Sequence, residues 1–425
     1  RELMTGANLR VLLFSTLFPS SARPGHGTFV ETRLRQLLKS GQIEARVVAP
    51  VPWFPLKGDR WGEWGRMAET PIHEVRNGVE VLHPRYFLPP KVGMNIAPLL
   101  LAAGAWRTLK GLREAGFDFD VIDAHYYYPD GVAAAILGRL LRKPVCITAR
   151  GTDLNVLPDY PIPRRWIRWA ARHVDTSAGV SQALAGRIDE IAAPLYKPRV
   201  LRNGVDLEHF RPIDKTHART RLGLPMEALV LLSIGNLIEL KGHHLAIEAV
   251  AQIPGAHLVI VGQGPDRETL ASLAVRLGVQ TRVTFAGYQT QDVLPFWYSA
   301  ADMMLQCSSR EGLANVLLEC FACGTPVVAT PLPGTAEVLD DPCAGVLIRE
   351  RSVEAILDGI EAIKRDPPST DAVRRHASRF GWPATTRLQV ESLHELAFPP
   401  LDKDKDLRRP SKPTVANSDA TEGTH

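Results

Sequence analysis

The sequence predicts an α/β chain of two Rossmann-like domains, each a parallel sheet built from βαβ units. Three observations carry that prediction. Apolar runs of strand length alternate with helical segments through both halves, and parallel neighbours need such crossovers. The 425 residues are 45% hydrophobic, enough for two cores. An Asn-Gly turn at Asn203–Gly204 separates the halves.

The elements follow in order. Arg10–Thr16 reads as a buried strand and Phe29–Lys39 as an amphipathic helix ended by Gly41. Val47–Pro50, Val121–Ala124, Val145–Ala149 and Ala178–Val180 read as further strands, with helices at Gly131–Leu141 and Ser181–Ile191. The second half repeats this alternation, with strands at Leu229–Ile234, Ala256–Val261, Val283–Ala286, Met303–Gln306 and Pro326–Thr330. Its helices lie at Gly242–Gln252, Pro265–Leu277 and near Asn315–Ala322. Domains are placed at 9–204 and 205–381, with a last helix at 382–397 and a polar tail at 398–425 that reads as disordered.

Composition excludes several classes. A net charge of +4 without a basic cluster argues against nucleic-acid binding. The five cysteines (146, 307, 320, 323, 343) form no disulfide framework and fit a reducing cytoplasm. Cys320 and Cys323 form a lone CxxC without the second pair a zinc site needs. No run reaches the roughly 18–20 apolar residues of a membrane span. Val11–Phe18 reads as a strand rather than a signal peptide. Ile96–Trp106 is either a buried helix or a surface that touches lipid.

Chemistry concentrates in loops after strands, where such folds bind ligands. In Ser308–Thr335, Glu311 and Gly312 precede a helix that starts near Asn315. Its free N–H groups and dipole suit a diphosphate. Glu319 lies eight residues past Glu311, about 12 Å along a helix. That suits one carboxylate at a donor sugar and another at ribose; the bland alternative is helix charge alone. In Ser233–Gly242, Lys241 can place positive charge on a leaving diphosphate or be a solvated lysine. Gly262–Gly264 follows a strand without completing GxGxxG, because position 267 is Arg. In the first half, the loop carrying Gly27, then His125, Arg150–Asp153 and Ser181 line the strand ends.

EGLANVLLE at 311–319 with CGTPVVAT after it, SIGNLIELKG at 233–242, LRNGVDLEHFRP at 201–212, LVIVGQGP at 258–265 and VTFAGY at 283–288 come in a set order. Together they resemble the family 4 glycosyltransferases, also called group 1 glycosyl transferases, over roughly residues 9–396. The resemblance implies the GT-B fold, two domains facing across a cleft with the last helix crossing back to the first. It implies transfer from a nucleotide-sugar donor with retention, and no cofactor or tightly bound metal. It places Glu311 at the donor sugar, Glu319 at the ribose and Lys241 at the diphosphate. Gly312, Leu313, Asn315, Val316, Gly27, Gly264 and Tyr288 would line the donor site. His125 would bond a sugar hydroxyl, with Arg150 and Asp153 on the acceptor side. Asn236 stands where many members carry Arg, which removes a positive charge that Arg150 or Arg310 would have to replace. The leaving phosphate would serve as base, so no hydrolase-type carboxylate pair is assigned.

Arg164, Arg168 and Arg172 share one helical face, with Trp166 and Trp169 between them. That face is either solvated or a seat on an anionic membrane for a glycan or lipid-linked acceptor. Two rival functions remain: a sugar-nucleotide 2-epimerase on the same fold, and a non-catalytic nucleotide-sugar-binding scaffold.

Overall fold

The computed structural model describes residues 8–89 and 93–399. Positions 400–425 of the predicted disordered tail lie outside the described residues. The first sheet contains β1 (Leu9–Phe14), β2 (Ile43–Val48), β4 (His73–Arg76), β5 (Val79–Leu82), β7 (Val121–His125), β8 (Val145–Ala149), β9 (Thr176–Gly179) and β10 (Arg199–Val200). Two short strands, β3 (Val51–Pro52) and β6 (Arg85–Tyr86), pair beside it. The second sheet contains β11 (Val230–Ile234), β12 (His257–Val261), β13 (Val283–Gly287), β14 (Met303–Gln306), β15 (Val327–Ala329) and β16 (Gly345–Leu347).

The sheet orders are β10-β9-β8-β7-β1-β2-β5-β4 and β13-β12-β11-β14-β15-β16. All neighbours are parallel except β4 and β5. Central parallel strands are covered on both faces, so they read as largely apolar runs. In β1, Val11 and Leu13 join one core while Leu12 and Phe14 join the other. Each sheet reverses its winding once, between β1 and β7 and between β11 and β14. Crevices at such switch points are where ligands bind.

The last helix, Trp382–Ala397, packs on the first domain. Its Val390 and Leu393 share a core with Val30, Leu34 and Leu37 of the Thr28–Lys39 helix. Two chain passages cross between domains side by side, with the Val205 N–H donating to the Phe380 carbonyl at 2.9 Å. Gly204 has no room for a Cβ, which would sit 2.7 Å from Trp382.

The structure departs from the sequence reading in places. The β4–β5 hairpin turns at Asn77–Gly78, both at positive φ, the signature of a tight hairpin turn. The Ile96–Trp106 segment belongs to a longer helix, Gly93–Glu114. Leu101, Ala102 and Ala105 are buried, but Ile96 and Leu99 are exposed, so it is neither wholly core nor wholly surface. Helices Val353–Arg365 and Thr370–Ala377 begin at Ser352 and Ser369, each capping with its side chain. Among the described residues no helix is long and apolar enough to cross a membrane.

One buried arginine ties the second domain together. Arg219 donates to the carbonyls of Ala300, Met226 and Ala228 and to Asp302. Arg219→Leu strands the three carbonyls, while Asp302 keeps Lys215 and the Val230 N–H, and a buried acceptor left unsatisfied costs about 1–3 kcal/mol. A urea titration is expected to show that loss; a change below about 1 kcal/mol would count against the account.

Candidate active site

The loop after β8 meets the loop after β14 between the domains, where a Cβ on Gly151 would lie 3.1 Å from the Gly312 nitrogen. On the second domain, β11 runs into a loop that places Lys241 at the end of the short turn Glu239–Lys241. Gly242 follows at φ 71, where a Cβ would lie 2.2 Å from the Cys307 carbonyl oxygen. Lys241 Nζ sits 2.5 Å from Glu311 Oε1, and Ser308 Oγ donates to the same oxygen at 2.8 Å. Both partners are partly buried, so the charges are held at the cleft rather than in bulk water.

The helix Asn315–Ala322 starts after Ala314, which provides no side-chain cap. Its first N–H groups and positive dipole end are left for an anion. Deeper on the same helix, Glu319 Oε2 accepts from the Tyr298 hydroxyl at 2.7 Å. Burial pushes the Glu319 carboxyl above the usual range, against the lowering effect of that hydrogen bond. Tyr288, Asn315 and Glu319 line one cavity of about 440 Å³ with Asn203, His209 and Trp382. A larger cavity of about 700 Å³, between Lys39 and the outer face of the last helix, contains none of the predicted site residues.

The predicted glycines do two kinds of work. Gly264 faces backbone, since a Cβ would sit 2.4 Å from the Leu237 carbonyl oxygen. Gly27 at φ 69 is packed likewise against the Leu17 carbonyl. Gly312 instead makes the contact between domains: its Cβ would lie 2.2 Å from the Arg150 carbonyl oxygen. Leu313 beside it is buried, and Val316 is partly buried. Asn236 is exposed, its carbonyl accepting from His243.

On the first domain, His125 ends β7 with no exposed surface. Its Nδ1 lies 2.7 Å from Arg150 Nη2, and its Nε2 lies 3.4 Å from Asp123 Oδ2. Burial holds the imidazole down to about 4. Arg150 also donates to Asn203 Oδ1 at 2.9 Å, and Asn203 Nδ2 donates to Asn315 Oδ1 at 2.8 Å. Through Asn203, Arg150 is linked to the N-terminus of the Asn315–Ala322 helix, whereas Arg310 is exposed. The Asp153 carboxylate accepts from the backbone N–H groups of Tyr127, Arg150 and Gly151, which shapes the loop rather than facing solvent.

Asp130 sits at the same rim, fully buried, accepting from the Thr16 N–H and hydroxyl. Burial pushes its carboxyl up to about 7, opposed by those hydrogen bonds. An unfolded Asp titrates near 3.9. Between about pH 4 and 7 the folded chain therefore holds a proton that the unfolded chain has released. Stability falls by up to about 1.4 kcal/mol per pH unit as pH rises through that window, then levels off. Asp130→Asn is expected to remove this slope and raise the urea midpoint at pH 8. A wild-type-minus-variant difference that stays flat from pH 4 to 8 would refute it.

Several site residues carry no local signal in the sequence. Asn203 reads only as a turn former, yet it bridges both domains. Arg33, Asp123 and Gln389 come from three distant segments and meet only in the fold. The basic face also looks different in place: Arg168 and Arg172 donate to the Ile191 and Ala192 carbonyls at the end of the helix Gln182–Ala192. Cys320 and Cys323 are buried, and burial raises both thiols, which leaves them inert.

Comparison with known proteins bears on the same geometry. Residues 214–380 match the family described as glycosyl transferases group 1, and residues 17–209 match glycosyltransferase family 4. A putative teichuronic acid biosynthesis glycosyltransferase, TuaC of Bacillus subtilis, is 28% identical over 83% of this chain and 88% of its own. The D-inositol 3-phosphate glycosyltransferase 1 of Catenulispora acidiphila is 29% identical over 88% of this chain and 92% of its own. The lipopolysaccharide core biosynthesis glycosyltransferase LpsE of Rhizobium meliloti is 42% identical over 50% of this chain and 59% of its own. Among solved structures, HepE of Anabaena in complex with UDP superposes with a TM-score of 0.68 at 20% identity, covering 91% of this chain and 100% of that one. Sucrose-phosphate synthase of Thermosynechococcus elongatus superposes at 0.72 and 19% identity, covering 92% and 98%. The chain belongs to the group 1 glycosyl transferases and has their two-domain GT-B fold.

Proposed function

We propose that this glycosyltransferase is a retaining hexosyltransferase, which moves a sugar from a nucleoside-diphosphate sugar to a lipid-linked or polysaccharide intermediate of cell-surface glycan synthesis. The observation that carries the reading is the Lys241–Glu311 pair beside the uncapped helix N-terminus, opposite Arg150. A diphosphate arriving there takes Lys241 as its counter-ion and frees Glu311 for a sugar hydroxyl. As the anomeric carbon–oxygen bond breaks, charge grows on the phosphate, where Lys241 and the helix dipole stabilise it. The acceptor oxygen bonds the anomeric carbon on the same face, and its proton passes to the departing phosphate. No side-chain nucleophile and no resident metal enter this scheme. The UDP and UDP-glucose complexes of HepE support the donor class. The names of TuaC and LpsE support a surface-glycan product.

Thermal shifts with UDP-, GDP- and ADP-sugars test the donor, because a ligand of the folded state raises the melting temperature. NMR of the first product then reads the anomeric configuration. An inverted product would sink the retaining reading. An epimerised nucleotide sugar formed without acceptor would favour the epimerase, and binding without turnover the scaffold.

The acceptor side of this reading includes an anionic bilayer at the inner face of the plasma membrane. Since Arg168 and Arg172 serve as a helix cap, the aromatic edge at Trp53, Trp61, Trp64 and Phe87 is the better seat. The three exposed tryptophans among the described residues all lie there. Co-sedimentation with anionic vesicles at low salt, lost in Trp61→Ala/Trp64→Ala, is the expected result. Failure of the wild type to sediment removes the membrane from the scheme and leaves the transfer reaction standing.

A further inference from the structure

Three polar side chains meet inside the first domain, next to His125. Arg33 on the Thr28–Lys39 helix, Gln389 on the last helix and Asp123 on β7 are each no more than 1% exposed. Buried groups of this kind are costly unless paired, and here the pairing is directional. A guanidinium can only donate. Arg33 Nη1 donates to Gln389 Oε1 at 3.0 Å, which fixes the orientation of the amide. Gln389 Nε2 must then face the other way, and it donates to Asp123 Oδ2 at 2.9 Å. Arg33 is itself anchored on the carbonyls of Leu201 and Arg202 at 2.6 and 2.8 Å, where the chain leaves the domain.

The same logic runs from the other end. Arg150 Nη2 lies 2.7 Å from His125 Nδ1, so Nδ1 must accept and the ring proton of the neutral imidazole sits on Nε2. Nε2 lies 3.4 Å from Asp123 Oδ2, the oxygen that Gln389 holds. A donor-only arginine at each end leaves one consistent set of proton positions between them.

We propose that Gln389, oriented by Arg33, is a positioning residue for His125: it holds the Asp123 carboxylate beside Nε2–H and so keeps the Nδ1 lone pair turned toward Arg150 and the cleft. With its one Nδ1 lone pair taken by Arg150, His125 fixes the guanidinium at the cleft, and a donor-sugar hydroxyl bonds the ring nitrogen only by displacing that contact. This last step rests on the transferase reading; the tautomer itself does not.

Two measurements on the full chain test the proposal. The first is a double-mutant cycle in transfer activity. Gln389→Met is expected to lower kcat about tenfold while the donor KM stays within about twofold. In a His125→Ala background the same substitution should change kcat by less than about twofold. An equal loss in both backgrounds would mean a merely structural role and would overturn the proposal. The second is the side-chain nitrogen NMR spectrum, with the His125 signal identified among 13 histidines by its loss in His125→Gln. The wild type should show the Nε2–H tautomer at pH 6–8, and Gln389→Met the same tautomer with a shifted Nε2 signal, because Arg150 still donates to Nδ1 while Asp123 loses the amide that holds it. An Nδ1–H tautomer in the wild type, or an unshifted Nε2 signal in the variant, would overturn it. Absence of transfer with every donor would defeat the proposed function while the spectrum still decides this inference.

Discussion

Lys241→Ala is expected to lower kcat/KM by about 10²–10³-fold, the usual effect of removing one group aimed at charge that develops in the transition state. Lys241 follows the β11 loop and is held 2.5 Å from Glu311 at the mouth of the donor-side helix. Two losses add. In the proposed scheme the departing diphosphate loses the Lys241 cation, and Glu311 loses the partner that holds it in place. Asn236 is neutral, and Arg310 is exposed. Arg150, whose backbone lies against Gly312, already serves His125 and Asn203. Folding should barely change, because a partly exposed ion pair contributes about 0–1 kcal/mol. Lys241→Arg keeps the charge and should recover part of the rate. Steady-state kinetics with the donor fixed by thermal shift provides the test. A loss below about fivefold would remove Lys241 from the chemistry.

The second domain is the more legible of the two, for a physical reason. Its central strands are covered on both faces, so Leu229–Leu232 and Leu258–Val261 appear as apolar runs, and the predicted Leu229–Ile234 and Ala256–Val261 match the strands to within one residue. Strand β2 is harder. Glu44 and Arg46 are only partly buried and break the run, so the sequence points to a start at Val47 rather than Ile43. The hairpin at Asn77–Gly78 does carry a usable signal, the Asn-Gly pair itself. Side chains in loops next to strand ends, such as Lys241 and Glu311, are legible because sequence position and chemistry coincide there.

What stays hidden depends on contacts between distant segments. Nothing near Gln389 in the sequence announces that it meets Asp123, 266 positions earlier. Asn203 has a local role in its turn that masks a longer-range one. Glycines carry a related ambiguity, since the sequence shows a missing Cβ but not what fills its place. Leu237 backbone fills it at Gly264, and the opposite domain fills it at Gly312.

Gly312→Ala is expected to separate donor binding from turnover. A Cβ at this position would sit 2.2 Å from the Arg150 carbonyl oxygen and 3.0 Å from the Gly151 Cα, both on the facing domain. The first distance is far inside van der Waals contact, and backbone on both sides has no side chain to move away. Gly334 supports the donor-side loop from behind, since a Cβ there would meet the Gly312 carbonyl oxygen at 2.1 Å. Parting the domains relieves this strain, and the two chain passages that join them, at Val205 and Phe380, are where such a movement would turn. An opened cleft leaves Lys241, Glu311 and Glu319 in place on their own domain, so nucleotide-diphosphate affinity should stay within about threefold. The reacting groups of the first domain are displaced, and misplacement by about 1 Å can cost about 10²-fold in rate. The melting temperature should hold, because opening removes the clash without disturbing either core. Full activity in this variant would show that the Gly151–Gly312 contact is not part of the working state. Joint loss of nucleotide binding and melting temperature would instead locate the damage in the donor loop itself.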